Sequence, residues 1–240
     1  MRALRRSRDS ALRRASRIIC PSAYLRELAV AWGIPPERVV VVPNPAPDLP
    51  SLPTRDDARA TFAVNGPMLA FAGRIGRQKA LEVGLAAVAQ VAGLTLLVAG
   101  NGPELEEMER RATELGLAER ASFLGALPRE RVLELFRAAD ASLLSSTWEN
   151  FPHTVVESLA VGTPVIATRV GGVPEVVTDG ENGLLVPGGD PSALALAIER
   201  FYGEHGLRER LAAAAAPSVA AYERKAILAR IEAVLVAAAA

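Results

Sequence analysis

From Pro67 onward the chain alternates short apolar runs with amphipathic stretches. The runs Met68–Ala72, Leu94–Ala99, Ala121–Leu124, Ala141–Leu144, Pro164–Ala167 and Gly183–Val186 are apolar almost throughout, which predicts strands buried on both faces. Between them, Leu81, Leu85 and Val88 share one helical face, as do Leu105, Met108, Ala112 and Leu115, and then Val132, Leu133, Phe136 and Ala139. Strands alternating with helices predict an α/β fold built on a doubly wound, Rossmann-like parallel sheet. Ala-rich helices follow, the last with Ile227, Ile231, Val234 and Leu235 on one side.

Before Pro67 the pattern is sparser. A basic helix leads to a strand (Ile18–Pro21), a helix (Tyr24–Trp32) and a second strand (Val39–Val42). The stretch Pro43-Asn44-Pro45-Ala46-Pro47-Asp48-Leu49-Pro50 is then too rich in proline to be helical and reads as an extended link. The expected division is a short α/β appendage with its linker (1–48), a ligand-binding α/β domain (49–218) and a C-terminal helix (219–240). Two strands make a poor sheet with unpaired edges, so the appendage is expected to pack against another chain, a neighbouring protomer or further structure.

Composition narrows the classes. Half of the 240 residues are hydrophobic and 22% are charged, a globular balance. Lys+Arg and Asp+Glu are equal at 27 each, without the basic surplus of a nucleic-acid-binding surface. The charge is uneven, however: Arg2, Arg5, Arg6, Arg8, Arg13, Arg14 and Arg17 face only Asp9. Such an arm is ordinarily a solvated helix face; the alternative is contact with anionic lipid or an acidic partner. No apolar run reaches membrane-spanning length. The single cysteine, Cys20, lies in an apolar run and is expected to be a buried structural thiol in a reducing compartment. The expected location is therefore cytoplasmic, at most peripheral to the inner membrane face.

Ligands of an open parallel sheet bind beyond the carboxyl ends of its strands, and here those ends carry the unusual residues. In order they are Gly73-Arg74-Ile75-Gly76-Arg77-Gln78-Lys79, Gly100-Asn101-Gly102-Pro103, Gly125-Ala126-Leu127-Pro128, Trp148-Glu149-Asn150-Phe151-Pro152-His153 and Gly171-Gly172-Val173-Pro174-Glu175. Arg74 and Lys79 flank a glycine turn entering a helix, and Phe151-Pro152-His153 opens another. Free amides and the helix dipole at such positions favour phosphate. Glu149 and Glu157, eight positions apart, can each accept two hydrogen bonds from vicinal sugar hydroxyls. Taken singly these features are weak: the cations read equally well as surface charges, Glu149 as a helix cap and Glu157 as solvated. Trp148 and Phe151 are expected to pack the loop, Glu175 to tie down its own glycine loop, and Asp179–Gly183 to form a turn. The Gly100-Asn101-Gly102 start of a dinucleotide fingerprint fails at Leu105, where a third glycine belongs.

In combination the residues resemble the retaining, GT-B-fold glycosyltransferases of family four. The resemblance runs from about Arg17 to the C-terminus. Its most specific part is Glu149-Asn150-Phe151-Pro152-His153-Thr154-Val155-Val156-Glu157, two glutamates separated by seven residues, continuing to Thr168. Gly73-Arg74-Ile75 with Lys79, and Gly171-Gly172-Val173-Pro174-Glu175, fall where that family has them. The chain thus resembles the C-terminal, donor-binding half, with only a remnant of the N-terminal half.

The resemblance implies that Arg74 and Lys79 grip a donor diphosphate, with Gly73 beside them. It implies that Glu157 holds ribose hydroxyls, that Glu149 contacts the transferred sugar, and that backbone around Phe151, His153 and Thr154 meets the distal phosphate or sugar. Gly102 and the Ala126-Leu127 turn would border the base. The catalytic set would be Glu149, Arg74 and Lys79, with no metal and no cofactor beyond the donor, a nucleotide-diphosphate sugar of the uridine type; no Asp-x-Asp pair is present. The acceptor stays open. The family normally has a whole N-terminal domain before the position of Met1, with a histidine near the reacting sugar, and neither His153 nor His205 occupies that histidine's place; Pro45 and Pro47 stand at a link that commonly has Asn-Gly; and Ala80 replaces a frequent glycine. Two readings follow: a hexosyltransferase-like enzyme, or a nucleotide-sugar-binding subunit or fragment completed by an acceptor half from another chain. By fold alone an epimerase or a phosphorylase also fits.

Overall fold

The computed structural model describes residues 12 and 14–239. Most of the expected basic helix, with Arg2, Arg5, Arg6, Arg8 and Arg13, lies outside the described residues, while Arg14 and Arg17 are exposed. The appendage consists of β1 (Ile18–Cys20), α1 (Ala23–Ala31) and β2 (Val39–Val41). The strands pair in parallel, Ile18 opposite Val39 and Cys20 opposite Val41. Ser22 starts α1, its hydroxyl accepting from the Leu25 N–H at 3.1 Å. A small cluster of Cys20, Ala29, Ile34 and Val39 closes the unit. Burial pushes the Cys20 thiol above its ordinary pKa, as expected of a structural cysteine.

The main sheet has six strands, all parallel: β3 (Met68–Ala72), β4 (Thr95–Ala99), β5 (Ala121–Phe123), β6 (Ala141–Leu144), β7 (Val165–Thr168) and β8 (Gly183–Val186). Their spatial order is β5-β4-β3-β6-β7-β8, so the chain winds outward from β3 in one direction and then from β6 in the other. Successive side chains of a strand point to opposite faces. Leu69 and Phe71 of β3 accordingly pack with α3 (Leu81–Gln90), α4 (Leu105–Glu114) and α7 (Pro191–Gly203), through Leu85, Met108 and Phe201. Met68, Ala70 and Ala72 turn to α2 (Arg55–Thr61) and α5 (Arg129–Ala138), against Ala58, Leu133 and Phe136. On that side Val165 and Ala167 meet α6 (His153–Ala160) through Val155 and Leu159, and α8 (Leu207–Ser218) through Ala215. The α/β doubly wound expectation holds.

The final helix, α9 (Arg224–Ala239), carries its apolar stripe with Ile227 buried, Ile231 and Val234 half-buried and Leu235 60% exposed. The helix returns to the appendage instead of lying over the sheet: Arg230 donates to the Val41 carbonyl at 2.9 Å and Arg224 pairs with Asp48 at 2.7 Å. The Glu175 carboxylate does not hold its own loop, which only the Glu175 N–H bonds, to Gly172. The two carboxylate oxygens accept from the Ala23 and Tyr24 amides, at 2.7 and 2.9 Å, capping the first turn of α1 across the joint. Trp148 is 46% exposed and packs no core, whereas Phe151 does, at 6%. The Asp179–Gly183 turn is structural, with buried Asn182 bonding the Thr178 amide and the Val176 carbonyl.

Candidate functional site

The order of the sheet reverses between β3 and β6, and the loops after the strands converge there. They are held side by side by backbone bonds beyond the strands: Gly73 N–H to Ala99, Ile75 N–H to Asn101, and Gly100 N–H to Gly125, at 2.7 to 3.0 Å. A side chain at Gly102 would place its Cβ 2.0 Å from the Ile75 carbonyl oxygen, so these two loops touch only because that position is glycine. Gly171 plays the same part against Glu149, with φ of 49° and a Cβ position 1.9 Å from the Glu149 carbonyl.

The converging loops enclose a cavity of about 490 Å³. Of the residues named from the sequence, Gly73, Arg74, Leu127, Thr154 and Glu157 line it, together with Ala126. Arg74 is exposed and has no ion-pair partner among the described residues. In the first turn of α6 the His153 N–H goes to the Phe151 carbonyl, and those of Val155 and Val156 to Pro152, leaving the Thr154 N–H on the cavity wall without such a bond. An open amide at a helix N-terminus and an unneutralised guanidinium suit a phosphorylated ligand.

The other expected residues lie beside the cavity rather than on it. Lys79 borders a smaller neighbouring recess with Arg74 and Gly76. Its ammonium is 2.6 Å from Oε1 of Glu149, which also accepts from the Ser146 hydroxyl at 2.6 Å. Glu149 is 4% exposed, and Ser146 is fixed in turn by Thr168, whose hydroxyl donates to the Ser146 carbonyl. Phe151 is buried edge-on against His153 and Tyr222, with ring centroids 5.3 and 5.8 Å apart. Asn44 Nδ2 lies 3.0 Å from His153 Nε2, a contact in which the amide donates to a neutral ring. Burial, then the Arg129 charge, pushes the His153 pKa down. Gly102 serves the packing of two loops and does not line the cavity.

Sequence reasoning missed Arg129 and Val132 as lining residues and named Asn101 only as part of a strand-end loop. Arg129 is the consequential omission. It opens α5 directly after the Gly125–Pro128 turn, and its Nη2 is 2.9 Å from Oε1 of Glu157. Burial raises the Glu157 pKa while Arg129 opposes that rise. Among the described residues no group of three His, Cys, Asp or Glu stands together to hold a metal ion, and no helix is long and apolar enough to cross a membrane.

With this geometry in place, comparison with known proteins is informative. Residues 54–217 match the family described as glycosyl transferases group 1, and residues 1–45 match a glycosyl transferase 4-like domain. The D-inositol 3-phosphate glycosyltransferase of Acidothermus cellulolyticus is 35% identical over 203 residues, covering 78% of this chain and 45% of that protein. The chain spans about half the length of the curated relatives it matches. Among solved structures, a sucrose-phosphate synthase from Thermosynechococcus elongatus superposes with a TM-score of 0.90 at 28% identity, over 99% of this chain and 63% of that one. HepE of Anabaena, solved with UDP and glucose, gives 0.90 at 26% identity, over 98% of this chain and 66% of that one.

Proposed function

This chain belongs to the glycosyl transferases group 1 family, and on that premise we propose that it is the donor-binding half of a retaining, metal-independent glycosyltransferase that takes a uridine diphosphate sugar. The observation that carries the reading is one cavity in which Arg74, the Thr154 amide and Glu157 meet, with the Lys79–Glu149 pair beside it. Arg74 and Lys79 lie along the diphosphate, the α6 N-terminus faces its distal end, and Glu157 accepts from the ribose hydroxyls. As the bond from sugar to phosphate breaks, negative charge develops on the leaving diphosphate. Fixed donors aimed at such a charge contribute about 3–4 kcal/mol each, and here they are the two cations and the helix amide. Glu149 holds Lys79 in place; its contact with the transferred sugar is carried by the family resemblance.

Calorimetry with UDP, GDP, ADP and their sugars tests this reading. UDP or UDP-sugar binding is expected, weakened at least tenfold in Lys79→Ala and Glu157→Ala. Activity should survive EDTA, and NMR of the product should show the donor's anomeric configuration kept. Refusal of every nucleoside diphosphate would overturn the reading.

A second reading is favoured by the appendage: β1 and β2 form a two-stranded sheet with Ile19 and Trp32 37% and 46% exposed. In it the chain supplies the donor site and another polypeptide supplies the acceptor half. Light scattering with transfer assays separates the two, since an active monomer excludes the second.

A further inference from the structure

We propose that Arg129 is a positioning residue that makes this site select ribonucleotides, by clamping the Glu157 carboxylate so that it receives the vicinal ribose hydroxyls. This deepens the donor reading and rests on it. Arg129 and Glu157 both line the cavity, and they reach it from different helices, the first turn of α5 and the second turn of α6. The 2.9 Å bond engages Oε1, which keeps Oε2 available to a hydroxyl donor. The two side chains differ in exposure, 53% for Arg129 against 16% for Glu157. A half-exposed pair of this kind adds little to folding, so its effect falls on the buried partner. A carboxylate in a cavity wall is costly to keep ionised without a cation. Protonated, it would lose half its capacity to accept and would present a donor to a ribose that also donates.

The charged and titratable groups around Glu157 are Arg129 at the start of α5, Arg74 across the cavity after β3, and the neutral His153 ring one turn earlier on α6. Arg74 lies along the diphosphate in the donor reading and His153 is engaged by Asn44 outside the cavity lining, so both affect a ribonucleotide and its deoxy analogue alike. The ratio of the two affinities isolates the carboxylate. Burial already raises the Glu157 pKa and Arg129 counteracts it; without Arg129 the carboxylate ionises only at higher pH.

Calorimetry of wild type, Arg129→Gln and Arg129→Lys with UDP and 2′-deoxy-UDP, and with GDP and 2′-deoxy-GDP, tests this from pH 5.5 to 8. Wild type should prefer the ribonucleotide about tenfold or more, as expected for a hydrogen bond to a charged group. Arg129→Gln should fall to within about threefold at pH 5.5 and recover as pH rises, and Arg129→Lys should retain most of the preference. An Arg129→Gln ratio equal to wild type at every pH would overturn the inference, as would a folded Arg129→Gln protein that binds neither nucleotide. Wild type that binds UDP or GDP without regard to the 2′-hydroxyl would overturn it and spare the donor reading. Wild type that binds none would overturn both.

Discussion

Around the crevice, β3 and β6 are buried along their whole length and sandwiched by helices on both faces, whereas the appendage closes around the small cluster of Cys20, Ala29, Ile34 and Val39, with Leu12, Ile18 and Leu25 partly buried against it. Its attachment to the main domain is largely polar: Glu175 to the α1 amides, Asn44 to His153, Arg230 to the Val41 carbonyl and Arg224 to Asp48. Apolar burial is lost outright when a contact opens, while an exposed hydrogen bond is exchanged for one to water at little cost. The crevice is therefore expected to keep its shape, and the joint to open more readily without unfolding the sheet.

The largest expected effect tests that contrast in the core. Phe71→Ala empties a fully buried site against α3 and α7 and should cost about 3–5 kcal/mol of global stability in urea unfolding. Val39→Ala, in the appendage cluster, should speed hydrogen exchange in residues 18–41 and leave the main unfolding transition in place. Equal loss of the main transition in both variants would show that the two units fold as one.

The second effect lies at the crevice rim. The Lys79 and Glu149 side chains are 15% and 6% exposed, so removing either leaves a charge buried without its partner. Lys79→Ala is expected to destabilise the fold by about 3 kcal/mol. The double variant Lys79→Met with Glu149→Gln should recover most of that loss without recovering nucleotide binding. A single variant as stable as wild type would mean that the pair opens to water.

How legible these regions were in the sequence follows the same division. The six strands stood out because a strand covered on both faces must be apolar throughout, and the chain has no other use for such runs. Arg74 and Glu157 drew notice at a strand end and a helix start that the alternation places, but only the resemblance to family four gave them roles and brought in Thr154. Arg129 escaped because a charged residue at the start of an amphipathic helix looks solvated, and only the fold brings it to Glu157. Glu175 and the α1 amides are some 150 positions apart, so no local pattern joins them. The α9 stripe was legible as periodicity, but how deeply each of its residues is buried, from Ile227 to the exposed Leu235, depends on what lies against the helix.

Joint residues should show smaller effects. Glu175→Gln removes the charge from a cap on two exposed amides, worth about 1 kcal/mol. Hydrogen exchange in Ala23–Ala31 should rise while thermal unfolding of the main domain shifts little. Nucleotide affinity should stay within about twofold, since Glu175 does not line the cavity. A tenfold loss of affinity would show that the joint and crevice are coupled.

The smallest effect belongs to Ala80, at the end of the turn that carries Arg74 and Lys79. It caps α3 with φ of 43°, a left-handed conformation that costs a non-glycine residue about 1 kcal/mol. Ala80→Gly relieves that strain, but it also removes a methyl that is 1% exposed, worth about 0.8 kcal/mol, and it frees the unfolded chain by about as much. The terms nearly cancel, and stability should move by under about 1 kcal/mol. Affinity is the more telling readout. The alanine confines the turn that delivers Lys79, so the glycine variant should bind nucleoside diphosphate up to about threefold more weakly, through ordering the loop on binding. Tighter binding would show that Ala80 holds the turn away from its working shape, and would make the crevice, like the joint, a part of the molecule that moves.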